Sequence, residues 1–244
     1  MLTARVAAIT QETAAVKSIE LEYGAQPFRF RPGQWIDLTI AIDGNEHVGG
    51  YSMVSTPQWP GRLQLGVKQA THHPVTRYIH ERLRIGEHVR ISQGQGTMTY
   101  EDADGGPVVL IGAGIGITPL LSILRWIDGR WETAPDTAPT RWLIYGNRSW
   151  PEVPFASELY ERCQSSPRGQ GVFALSEQAE LTGRAPGEPQ VVAGRIDPDL
   201  LIRLNPPRDG LYFLCGPQPL VERAQRTLRA LGIPPERIRY ERWW

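Results

Sequence analysis

The hydrophobic pattern of this chain changes period once, near residue 105, and that change constrains the fold more than any other feature. Over the first hundred residues short segments alternate with period two: Val16–Leu21, Trp35–Ile40 after Pro32-Gly33, Arg62–Lys68 and His88–Ile91. Gly44-Asn45 is a turn candidate, with a further strand expected over Tyr51–Ser55. Many short strands divided by Gly and Pro turns predict an antiparallel barrel or sandwich. A single helix is expected in this half, Thr76 to Leu83, stopped by Gly86. After the acidic, Gly/Pro-rich stretch Asp102–Pro107, apolar strands at Val108–Ile111, Trp142–Tyr145, Val172–Leu175 and Leu211–Leu214 alternate with amphipathic helices. Those helices begin near Pro119, Phe155, Asp197 and Gln218, with Asp197-Pro198 a strong helix start. Strand–helix alternation predicts a parallel, doubly wound sheet. The chain therefore reads as two domains, an antiparallel barrel or sandwich over 1–104 and a Rossmann-like α/β domain over 105–244.

Composition narrows the function. The chain has 244 residues, and Lys plus Arg equals Asp plus Glu at 26 each, which gives no basis for a nucleic-acid partner or an anionic membrane surface. Its two cysteines, Cys163 and Cys215, are too few for a disulfide scaffold or a Cys-ligated iron–sulfur cluster. The five histidines are scattered without ligand partners, so no metal site is expected. No signal peptide opens the sequence and no apolar run reaches transmembrane length, so a cytoplasmic protein is the expectation.

Gly112-Ala113-Gly114-Ile115-Gly116-Ile117-Thr118-Pro119 is a glycine-rich turn between a strand and a helix. Glycines let a backbone approach a pyrophosphate closely, and a helix N-terminus offers it free N–H groups. Read alone, the same residues also make a plain tight turn. Cys215-Gly216-Pro217 ends another strand and would line the same crevice, although a buried cysteine is often only a small apolar filler. In the first half, Tyr51 and Ser52 on a strand and Thr76 at the helix start suit a flat heterocycle and a diphosphate, but these are common residues.

Taken in order, these motifs resemble those of the ferredoxin–NADP reductase superfamily, and the resemblance spans nearly the whole chain. Gly49-Gly50-Tyr51-Ser52 stands where members carry R-x-Y-S, and His73-Pro74-Val75-Thr76 where they carry G-x-x-S/T. The Gly112–Pro119 turn, Cys215-Gly216-Pro217 and Glu241-Arg242-Trp243 match the remaining motifs. Val48–Ser52, His72-His73-Pro74 and the Trp-Trp ending are similar to the oxidoreductase NAD-binding domain-containing protein 1 group. The resemblance implies an FAD-binding barrel, with Tyr51 flanking the isoalloxazine, Ser52 near its reactive nitrogen, Val67 and Lys68 lining it and Thr76 on the diphosphate. Trp243 and Trp244 would stack over the flavin as a movable lid, though a closing strand packed on the core accounts for the same aromatics. The family arginine is Gly49 here, which leaves FMN open and suggests Arg77 or His73 as the replacement charge.

The resemblance further implies that NAD(P)H docks at Gly112, Gly114, Gly116, Thr118 and Pro119, with Gly216 and Pro217 beside it and its nicotinamide near Cys215. Hydride then passes to FAD and electrons leave for an external acceptor the sequence does not name, with Glu241 handling a proton or nicotinamide charge. Asn147 and Arg148 end a strand with no carboxylate for a ribose 2′-hydroxyl. Arg148 and Ser149 suit a 2′-phosphate, yet Arg148 equally suits stacking on adenine, so the nucleotide stays NAD(P)H. The competing readings are a non-catalytic or complex-dependent electron-transfer module and a short-chain dehydrogenase. The second needs a Tyr-x-x-x-Lys that is not found.

Overall fold

The computed structural model describes residues 1–164, 168–178 and 189–241. Its first sheet contains β1 (Leu2–Thr13), β2 (Val16–Glu22), β3 (Trp35–Ile42), β4 (Asn45–Ser52), β5 (Arg62–Lys68) and β6 (His88–Ile91). The strands are antiparallel in the order β4-β3-β6-β1-β2-β5. The two edges meet where Met53 bridges Leu65 and the Val54 N–H donates to the Gln64 carbonyl at 2.8 Å, closing the sheet into a barrel. Alternate residues such as Ile19, Leu21, Ile36 and Leu38 fill the interior. A helix, α1 (Pro74–Glu81), plugs one end with Val75 and Ile79.

Two boundaries differ from the sequence reading. The expected strand over Tyr51–Ser55 begins at Asn45 and ends at Ser52, because the two-residue turn is Asp43-Gly44, both at positive φ. Its first half is exposed and polar, which masked the strand. Helix α1 starts at Pro74, not Thr76, since the His73 side chain caps it.

The second sheet contains β7 (Val108–Ala113), β8 (Arg141–Asn147), β9 (Gly169–Leu175), β10 (Gln190–Ala193), β11 (Leu211–Cys215) and β12 (Ile238–Glu241). All pairs are parallel, in the order β10-β9-β8-β7-β11-β12. Strand order reverses between β7 and β11, so the crevice beyond their carboxyl ends is the topological switch point. The helices are α2 (Ile117–Thr133), α3 (Ala156–Arg162), α4 (Pro198–Leu204) and α5 (Gln218–Ala230). As the Asp-Pro pair predicts, the Asp197 carboxylate accepts from the Leu200 N–H at 2.8 Å. Up to Glu241 the aromatic tail is a strand, with Tyr240 40% exposed and so outside the core. No helix among the described residues is long and apolar enough to cross a membrane.

The two sheets share packing. Val54, Met98 and Tyr100 join the core formed by Leu110, Ile117 and Leu121 on the other side. Asp104, in the acidic stretch between the sheets, is held by Arg239 of β12 at 2.6 and 2.8 Å. The division at 104/105 remains our reading of the chain.

Candidate functional site

The glycine-rich turn and the turn after β11 meet at the switch point, and their glycines serve two different purposes. A Cβ at Gly116 would lie 2.4 Å from the Cys215 carbonyl oxygen, and one at Gly112 would lie 2.8 Å from it. Gly216, at φ +146°, brings its own backbone against Ala113. These glycines let the two turns pack backbone to backbone. Gly114 differs: its φ is +56° and none of the described residues stands within 4 Å of a Cβ built there. That bare left-handed position borders a cavity of about 520 Å³ at the carboxyl edge of the sheet, also lined by Gly146, Ile196 and Pro217. Of the expected glycine ligands, only Gly114 opens on space a nucleotide could fill.

Thr118 and Pro119 lie deeper. Both are buried, and neither lines the cavity. Thr118 donates its hydroxyl to the Ile115 carbonyl at 2.9 Å and presses its methyl toward Gly66 of the barrel, where a Cβ would come within 2.5 Å. It caps the turn and packs the sheets together. Asn147 lines the cavity, but its side-chain amide donates to the Glu152 carbonyl at 2.7 Å and to the Tyr145 hydroxyl at 3.2 Å. Arg148 also lines it, with its charge held by Glu152 at 2.5 Å. Burial pushes the Tyr145 hydroxyl far above its ordinary range, so it stays a phenol and donates to the Gly114 carbonyl at 2.7 Å.

On the barrel, the Tyr51 hydroxyl and Thr76 Oγ1 lie 2.8 Å apart in a buried pair. The Thr76 N–H donates to His73 Nδ1 at 3.4 Å, capping α1. Burial pushes the Tyr51 phenol up to about 12 against the smaller opposing effect of Thr76. Gly49 lies beneath this cluster: a Cβ there would sit 2.8 Å from both the Tyr51 ring and His73. The family arginine has no room at this position. Arg77 is exposed on α1, with no carboxylate partner among the described residues. Ser52 is 5% exposed, and its hydroxyl bonds to none of the described residues. A buried hydroxyl without a partner among the described residues and polar groups at the start of α1 fit a flat group carrying a phosphate.

Val67 and Lys68 part company. The Val67 side chain is buried in the barrel core, and its carbonyl lies 3.0 Å from His80 Nε2. Strand alternation turns the exposed Lys68 the other way, and it lines the nucleotide-side cavity. Lys68 therefore borders this cavity, while Val67 does not. Cys215 is 1% exposed and pairs in register with Gly112 on one side and Glu241 on the other. The Glu241 carboxylate approaches Gly96 and Trp35 at the barrel rim, as the spacing around a Cβ at Gly96 shows. Sequence reasoning named both residues without placing them side by side. Burial pushes the Cys163 thiol up to about 12, consistent with a structural role. Trp243 and Trp244, with the lid expected of them, lie outside the described residues.

One face of α2 joins the two half-sites. The Ser122 hydroxyl donates to the Ser55 carbonyl at 2.6 Å. Arg125, only 7% exposed, donates to the Val54 carbonyl at 3.1 Å and to Gln64 Oε1 at 2.8 Å. The same guanidinium pairs with both Glu158 oxygens at 2.8 and 2.6 Å and lies 4.7 Å from the Trp59 ring centroid. No signal in the sequence marks Arg125, because each of its partners is brought to it by the fold.

Comparison with known proteins agrees with this arrangement. Residues 3–100 match the oxidoreductase FAD-binding domain family, and residues 110–226 match the oxidoreductase NAD-binding domain family. The oxidoreductase NAD-binding domain-containing protein 1 of Danio rerio is 31% identical over 253 residues, covering 100% of this chain and 92% of the relative. The reductase component of propane 2-monooxygenase from Mycolicibacterium goodii is 29% identical over 238 residues, covering 97% of this chain and 66% of that protein. A solved structure, the flavohem-like FAD/NAD-binding domain of nitric oxide dioxygenase from Vibrio cholerae O1 biovar El Tor, shares the fold with a TM-score of 0.79 at 24% identity, covering 98% and 97% of the two chains. With its FAD-binding and NAD-binding oxidoreductase domains in this order, the chain belongs to the oxidoreductase NAD-binding domain-containing protein 1 family.

Proposed function

We propose that this chain is a flavoprotein reductase that draws hydride from NAD(P)H and delivers electrons to an external acceptor. One observation carries the reading: a single cavity at the switch point is lined by Gly114 and Pro217 of the nucleotide side and by Lys68 of the barrel. FAD, when bound, supplies a ring that accepts a hydride and can release electrons singly. The rest falls to the chain's own residues. Thr76 fixes the orientation of the Tyr51 phenol, which remains protonated at neutral pH. Ser52, the next residue of β4, offers a buried hydroxyl with no partner among the described residues, and His73 and Arg77 at the start of α1 offer donors for a diphosphate. Gly114 leaves backbone room for the nucleotide pyrophosphate, and the buried Cys215 gives a small contact beside Glu241, which holds a proton or balances nicotinamide charge. The packed face of α2 holds these groups in register, and positioning of this kind accounts for up to roughly 7–11 kcal/mol of a barrier.

The monooxygenase reductase relative supports an acceptor of the oxygenase-partner or small redox-protein class. The test is the absorption spectrum of the purified protein before and after anaerobic NADH and NADPH, followed by dye reduction. A yellow protein bleached by either nucleotide is expected. Protein that binds neither FAD nor FMN overturns the reading, and a protein that binds nucleotide without turnover returns the complex-dependent module.

A further inference from the structure

The cavity at the switch point carries more positive charge than a pyrophosphate needs. Its charged lining is Lys68, Arg148, Arg195, Arg223 and Glu152. Arg148 is spent: Glu152 holds it at 2.5 Å, and the nearby Glu177 acts on it as well. Glu177 itself does not line the cavity. Lys68, Arg195 and Arg223 have no carboxylate partner among the described residues. Moreover, Arg223 Nε is buried without a hydrogen-bond partner among the described residues, a costly state for a charged donor unless a ligand completes it.

The placement of the two free guanidiniums is specific. Arg195 follows β10 and Arg223 lies on α5, and the residues beside them, Ile196 and Leu220, belong to one apolar cluster that floors the cavity. Ile196 packs against Gly146 at the end of β8. An apolar floor flanked by two arginines, with the hydroxyl-bearing Ser176 also in the lining, suits an adenosine whose ribose bears a phosphate monoester. A 2′-phosphate adds about −1.5 to −2 charge and three acceptor oxygens, which matches the unspent guanidiniums.

We propose that this site selects NADPH over NADH, with Arg195 and Arg223 holding the 2′-phosphate. The proposal rests on the nucleotide-binding reading above. Calorimetric titration with adenosine 2′,5′-bisphosphate and with AMP tests both without any redox step. The bisphosphate should bind at least tenfold more tightly than AMP at low salt. Arg195 is exposed, so Arg195→Gln should keep the fold, cost about tenfold in bisphosphate affinity and leave AMP within about twofold. Arg223→Gln should act in the same direction, and the double variant should bring the two ligands together. Equal affinities in the unaltered protein, or an Arg195→Gln variant that keeps the margin, would overturn the 2′-phosphate site while leaving nucleotide binding standing. If neither ligand binds, the nucleotide reading itself fails, and this proposal with it.

Discussion

The barrel half of the site and the nucleotide half hold their polar groups in opposite ways. On the barrel, Tyr51, Thr76 and His73 bond to one another, and Gly49 exists so that they can. On the nucleotide side, Arg195 and Arg223 face a cavity with no partner of their own among the described residues. The first half is organised before anything binds, as expected for a group that stays. The second is organised by charge, with guanidiniums that the proposed nucleotide phosphate would pair. Arg125 lies between them and ties one to the other.

That tie gives the largest expected effect. Arg125→Met leaves the Val54 carbonyl and Gln64 Oε1 without their donor and strips Glu158 of one of its two arginines. Breaking a buried pair of this kind costs about 3–5 kcal/mol, measurable by urea unfolding. A loss below about 1 kcal/mol would mean the two halves are held by apolar packing alone. The same network sets an acid limit. Burial alone would raise the Glu158 carboxyl, but the hydrogen bond and charge of Arg125, helped by Arg162, outweigh it and hold the group below its ordinary value. A depressed folded value means the stabilisation is present above the ordinary carboxylate range and lost as pH falls through the folded value. Urea midpoints taken downward from pH 6 should fall in the acid range, and the Arg125→Met variant should show a flatter profile.

Gly116→Ala comes next. The new methyl meets the Cys215 backbone, which cannot rotate away as a side chain would, so β7 and β11 must shift apart. About 2–3 kcal/mol is expected from overpacking, read as a lower denaturation midpoint. Thr76→Val follows on the barrel side. It keeps the shape but leaves the buried Tyr51 hydroxyl with no partner from Thr76, for about 1–2 kcal/mol. If the barrel cluster is organised as argued, flavin affinity should fall with it while ADP-ribose affinity stays put. Equal losses for both ligands would erase the distinction between the halves.

Much of the fold was legible because burial writes its period into the sequence. The alternation of β2, β3 and β5, the apolar strands β7, β8, β9 and β11 and the Asp197 cap all follow from local chemistry. Strand β10 escaped, and β12 stood only as an alternative reading of the tail, because each is four residues long and carries few fully buried side chains, with its pairing supplied by a neighbour far along the chain. The glycine turn was recognised, but not the division of labour within it. Gly112 and Gly116 face a strand end about a hundred residues away, and no local pattern records that approach. Arg195 and Arg223 look like ordinary surface arginines until the fold brings them to one cavity and leaves them unpaired among the described residues.

Gly114→Ala is the smallest perturbation and the sharpest test of that division. At φ +56° a side chain is strained by about 1 kcal/mol, and the reduced freedom of the unfolded chain offsets part of it. With nothing within 4 Å to strike, stability should fall by no more than about 1 kcal/mol, well short of Gly116→Ala. Binding should respond the other way round. A methyl placed over the bare backbone intrudes where a pyrophosphate would rest, so ADP-ribose affinity should drop by about tenfold, or about 1.4 kcal/mol. Thus one glycine of the turn should be worth more to folding than to binding, and its neighbour two residues earlier the reverse. If Gly114→Ala leaves ADP-ribose affinity unchanged, the open position is only a turn, and the nucleotide half must draw its affinity from the arginines alone.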